Sequence, residues 1–184
     1  MKTINSKADL KYTEVAEYLS LVKEGEEIDL QFLLNRMMKI FYGLNPSDVR
    51  QLSQKVVNDK INDINKALDT TKSEFSNIIE MGGVKYGFLP NFSEISAGEL
   101  IDIEDLYKED RITELMSILY RPIVGKVNKL AQYEVESYKG YDNRFKDISY
   151  DIVEGAMALF MQSFLILNHL IRTSTAQQMM MNPN

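Results

Sequence analysis

The stretch Ser73–Phe92, SEFSNIIEMGGVKYGFLPNF, is where the reading of this chain turns. Before it, apolar residues recur at helical spacing. Within it, two runs of strand-forming composition, Phe75 to Met81 and Val84 to Phe88, flank a Gly82-Gly83 pair. Adjacent glycines supply the positive backbone angles of a two-residue hairpin turn, so the stretch predicts a β-hairpin over about residues 74–89.

Beyond Pro90, Ser93 or Ser96 is placed to cap a helix whose early turns hold Glu99 and Asp102, which favour the positive end of a helix dipole. Asp110 is the expected start of another helix, with Ile112, Leu115, Met116 and Leu119 on one face. That helix ends before Pro122, which puts Tyr120-Arg121-Pro122 at a helix exit. Residues 123–143 mix an alternating run, Tyr133 to Tyr138, with glycines, and read as a long loop or a second small hairpin. From Phe145 or Ser149 to about Thr173, a stripe of Ile152, Ala156, Leu159, Phe160, Phe164, Leu167 and Ile171 predicts a core helix.

Upstream, Val15, Tyr18, Leu19 and Val22 describe a helix from Thr13 that Gly25 closes. Asp29 caps a second, with Phe32, Leu33, Met37, Ile40 and Phe41 apolar and Gly43 ending it. A third begins at Asn45 or Ser47 with Pro46 in its first turn, and its face runs through Val49, Leu52, Val56, Val57, Ile61, Ile64 and Leu68. Residues 1–11 are polar and unpatterned, the composition of an N-terminal arm. Residues 174–184 read as a C-terminal arm, disordered alone, whose Met179, Met180 and Met181 are adaptable enough to dock in a partner's groove. The expected fold is therefore mainly α: a helical bundle with one β-hairpin insertion and extended N- and C-terminal arms, forming a single helical domain over 1–184.

Composition supports a packed core: hydrophobic residues make up 45% of the 184 and charged ones 26%. A net charge of −6 argues against partners held by nucleic-acid phosphates, and sequence-specific nucleic-acid binding is not expected. The longest apolar stretch, AMALFMQSFLIL, is too short to cross a bilayer and contains Gln162 and Ser163, so no membrane association is expected. With no Cys, disulfides and thiolate chemistry are excluded by inventory. A soluble chain made in a cytoplasm without a signal peptide is the expectation.

Catalytic signatures are sparse. His169, the lone histidine, lies in an apolar run between Asn168 and Leu170 and reads as structural. HExxH, GxSxG and Walker A patterns are missing from the sequence. Glu99, Asp102, Glu104, Asp105, Glu109 and Asp110 lack the ligand order of a calcium loop and read as a solvated helix face. The spacing of Gly82, Gly83 and Gly87 does not match a dinucleotide fingerprint. Neither an enzyme nor a cofactor is expected. Lys85 and Arg121 are expected to pair with carboxylates such as Glu99 or Glu104, and Tyr86, Phe88, Phe92, Tyr107 and Tyr120 form an aromatic cluster suited to a core or an interface.

The order KYGFLPNFSEISAGELIDIED, ELMSILYRPI and YEVESYKG resembles a pattern of small virion or assembly proteins of tailed bacteriophages, including the crAss-like group that infects gut Bacteroidales. The matching elements are Tyr86, Gly87, Phe88 and Pro90, then Gly98, Glu99 and Asp102, then Leu119, Tyr120, Arg121 and Pro122. The likeness covers roughly residues 75–140 well and the N-terminal third loosely. It implies a non-enzymatic structural protein of the virion, made in the host bacterial cytoplasm: a head-to-tail connector or adaptor ring subunit that binds the portal or other tail and connector proteins. A tail-assembly chaperone absent from the mature particle, or an internal cargo protein of the head, are the alternatives it implies. The partner-binding residues under this reading are Tyr86, Phe88, Pro90, Phe92, Tyr120, Arg121 and Met179 to Met181.

Overall fold

The computed structural model describes residues 2–23, 29–69, 73–125 and 133–164. The fold is mainly α with a small three-stranded antiparallel sheet. Contacts divide the chain into two compact units, Met1–Glu74 with Lys146–Glu154, and Phe75–Phe145 with Gly155–Asn184.

In the first unit, α1 (Tyr12–Lys23) packs on α2 (Leu30–Tyr42), with Tyr18 meeting Phe41 edge-on at 5.6 Å. Both ends of α2 follow local chemistry. The Asp29 carboxylate accepts from the Gln31 N–H at 3.0 Å, and Gly43, at φ 68°, takes the left-handed angle that closes a helix without a β-carbon penalty. Met37, Met38 and Phe41 join Val15, Val57 and Ile64 in the core.

Two expectations change here. The third helix is broken into α3 (Pro46–Val49) and α4 (Gln54–Asp69). Asp48 accepts from the Asn45 N–H at 2.9 Å, while the Ser53 hydroxyl opens α4 by accepting from the Val56 N–H at 3.4 Å. A serine that satisfies a helix start interrupts a run whose Val49, Leu52, Val56 spacing reads as continuous. The expected arm is also corrected: residues 2–11 pack onto the unit, with Ile4 and Leu10 both buried in its core. Tyr12 donates its N–H to Ile148 O at 2.9 Å and Tyr150 to Leu10 O at 2.7 Å. Lys7 is buried against Glu154 at 2.7 Å.

The second unit is built on the hairpin. β1 (Ile78–Met81) and β2 (Val84–Phe88) pair in the register Ile78 to Gly87 through Met81 to Val84, joined by Gly82 and Gly83 at φ 58° and 77°. Tyr120-Arg121-Pro122, expected only as a helix exit, forms a third strand, β3, with Gly87 opposite Arg121 and Phe88 opposite Tyr120. α5 (Ala97–Lys108) starts at Ser96, whose hydroxyl accepts from the Glu99 N–H at 3.2 Å while Glu99 accepts from the Ser96 N–H at 2.9 Å, a reciprocal capping box. α5 packs on α6 (Ile112–Leu119). Asp110 does not begin α6; it sits at φ 56° in the link, and Arg111 is the cap. The described part of 123–143 is a loop that makes a single bridge, Ile123 to Val135.

The helix over 150–164, α7, belongs to the first unit up to Glu154 and to the second beyond it. In the second unit Phe160 is fully buried and meets Phe92, Tyr107 and Phe164 at 5.2–6.5 Å. The remainder of the expected helix, His169, and the C-terminal arm with Met179, Met180 and Met181 lie outside the described residues.

Candidate functional site

The segments KYGFLPNFSEISAGELIDIED, ELMSILYRPI and YEVESYKG converge on one place, and Gly87 explains why. A β-carbon built on Gly87 would stand 2.2 Å from the ring of Tyr133, so glycine is what lets that ring lie against β2. The Tyr133 hydroxyl then reaches the carbonyls of Phe88 at 2.8 Å and Asn77 at 3.0 Å. Burial pushes the Tyr133 phenol up in pKa, more than the Phe88 contact lowers it, which keeps it a donor.

Arg121, opposite Gly87, extends its guanidinium to Glu99 at 3.0 Å, with only 12% and 8% of the two side chains exposed. Glu99 thus holds the first turn of α5 with one carboxylate oxygen and Arg121 with the other. This is the pairing expected for Arg121; Glu104 instead meets Lys108, and Lys85 lies opposite Glu80 in the hairpin. The Arg121 Nε is buried without a hydrogen-bond partner among the described residues. The Tyr138 hydroxyl donates to Asp102, and burial followed by that carboxylate pushes its pKa far up. Tyr120 donates to the Ser76 carbonyl and is likewise raised by burial.

The expected partner-facing residues therefore separate. Phe88 and Tyr120 are core residues, 3% and 0% exposed, because β2 and β3 turn them inward onto each other at 5.1 Å and Phe88 onto Phe75 at 4.8 Å. Tyr86 and Phe92 are half-buried, the first against Phe145 and beneath the Arg144 guanidinium. Pro90 is exposed.

Pro90 and Arg121 both line a groove of about 440 Å³. Leu89, Ile95 and Val135 give it apolar surface, and the whole run 133–138 borders it. Glu94 and Glu134, both exposed, and Glu136, which meets Lys139, give its border a negative character. Sequence reasoning missed this wall. The alternation from Tyr133 to Tyr138 was its one visible signal, and nothing in that spacing points to Gly87. Among the described residues no group of His, Cys, Asp or Glu is arranged to hold a metal ion, and no helix is long and apolar enough to cross a membrane.

Comparison with protein-family models, with curated proteins and with solved structures finds no match for this chain.

Proposed function

We propose that the chain is a non-enzymatic structural protein of a tailed-phage particle, most concretely a head-to-tail connector ring subunit that binds the portal or the next ring. The observation that carries this reading is where the polar groups of the phage-like pattern go. Glu99 and Arg121 hold each other, Tyr138 holds Asp102, and Tyr133 holds the backbone of β2. Groups bound in this way position chain segments, the work of an architectural element rather than of groups poised to react.

A second feature favours contact with neighbours. Leu19 and Val22 at the end of α1, and Leu30 and Phe32 at the start of α2, are exposed, Leu30 by 81%. Large apolar side chains left exposed at two neighbouring helix termini in the chain are suited to being covered by a protein partner. A closed ring needs two different contact surfaces on each subunit, and the α1–α2 residues of the first unit and the groove of the second are candidates for them.

The test is a phage carrying a nonsense codon early in this gene, examined by electron microscopy of infected cells. A connector predicts filled heads and complete tails that fail to join. Heads without any tails would instead favour the tail-assembly chaperone, and joined, infectious particles would refute both.

A further inference from the structure

The groove is bordered by a strand-like edge with backbone groups that meet no backbone partner among the described residues. Ile123 and Val135 face each other across a bridge whose hydrogen bonds are made by their neighbours, Val124 N–H to Glu134 O at 3.0 Å and Glu136 N–H to Pro122 O at 2.8 Å. In an antiparallel pair of this kind each residue's own N–H and C=O point away from the other. Ile123 spends its N–H on Lys85 O at 3.0 Å, within the sheet. Val135 directs its N–H and C=O to the opposite side, out of the sheet.

We propose that this groove receives an extended, lysine- or arginine-bearing segment of a partner protein, which adds as a strand along residues 133–138. The backbone of Val135 supplies the hydrogen bonds that set the register, as in other strand-addition modes. Charge supplies the selectivity. Four glutamates and one arginine line the groove; Arg121 and Glu99 offset each other and Glu136 meets Lys139, which leaves Glu94 and Glu134 as the carboxylates without an ion-pair partner among the described residues. Glu134 and Glu136 lie two residues apart in an extended run, on one face, with Glu94 also at the groove. Leu89, Ile95 and Val135 offer apolar surface for the side chains between the basic ones. The fitting sequence alternates basic and apolar residues. This inference rests on the reading of the chain as one that works by protein contact, and it is independent of the phage setting.

The test uses the full chain and fluorescein-labelled peptides alternating lysine with valine or leucine, against matched peptides with serine or glutamate in place of lysine. Fluorescence anisotropy should rank lysine above serine above glutamate, with affinity falling as salt rises. The Glu94→Gln/Glu134→Gln variant alters only exposed side chains, and should weaken lysine-peptide binding about five- to tenfold while leaving the serine peptide unchanged. Amide exchange should slow at Val135 on binding. No binding by any lysine peptide, a preference for glutamate, indifference to the double substitution, or protection confined to other segments would each overturn the proposal. The nonsense-phage experiment reads the virion role alone, so either reading can fail without the other.

Discussion

Gly87 and Tyr133 approach so closely that the hydrogen of one and the ring of the other occupy the space a methyl group would need; a β-carbon would lie 2.2, 2.6 and 2.9 Å from three ring atoms. This contact ties β2 to a segment more than forty residues later, and the register of Gly87 with Arg121 ties both to β3.

Gly87→Ala should therefore destabilise the protein by about 1–3 kcal/mol, the usual cost of overpacking a filled site. Its cost should shrink to a few tenths of a kcal/mol in a Tyr133→Ala background, because the clash has been removed. Urea unfolding of the four members of this cycle measures it. Additive costs would show that the ring is not what the alanine meets.

The Glu99–Arg121 pair predicts an asymmetric response. Glu99→Ala strips the partner from a nearly buried guanidinium and removes part of the α5 cap, and should cost about 3–5 kcal/mol. Arg121→Met should cost less, since the carboxylate it strands keeps the Ser96 N–H as a hydrogen-bond donor and the α5 cap stays in place. The pair of unfolding midpoints decides between this order and its reverse.

Acid should loosen the N-terminal segment first. Burial of Glu154 opposes its ionisation, but hydrogen bonds from Lys7 and from the hydroxyl and N–H of Ser73 outweigh it and hold the pKa below its ordinary 4.5. Asp147, beside Lys11, and Asp9, bonded by the N–H groups of Asn5 and Ser6, are lowered as well. A lowered carboxylate contributes stability that is present above its unfolded pKa and is lost as pH falls through its folded pKa. Amide exchange around Leu10 and Tyr12 should thus be unchanged from neutral pH to about pH 5 after correction for intrinsic rate, then rise below about pH 4. Glu154→Gln should flatten part of that rise.

Leu30→Gln with Phe32→Gln should leave the unfolding free energy from urea within about 1 kcal/mol of the parent, because both side chains are exposed. The same variant should lower self-association in sedimentation velocity. Unchanged association would remove the α1–α2 surface from the ring model.

What was legible in the chain was local. The Gly82-Gly83 turn, the Ser96–Glu99 box, the Asp29 cap and the Gly43 stop each depend on residues within a few positions of one another, and each lies where the pattern places it. The hidden features all depend on distant partners. Ile4 and Leu10 fit neither a helical nor a strand period; both are buried in the core of the unit, where Leu10 and Tyr12 pair with residues 150 and 148. Tyr120 to Pro122 is too short to announce a strand until β2 provides its register. The groove was half visible for the same reason: Pro90 and Arg121 stand in the pattern around the hairpin, whereas Tyr133, Glu134 and Val135 reach it only through the sheet.

The most direct measurement of the central claim is the copy number of this chain in purified, mature phage particles, by quantitative mass spectrometry against the portal protein. The connector account predicts a fixed small-integer ratio to the portal subunit, constant across preparations. Absence from particles, with the chain abundant in infected cells, would contradict it.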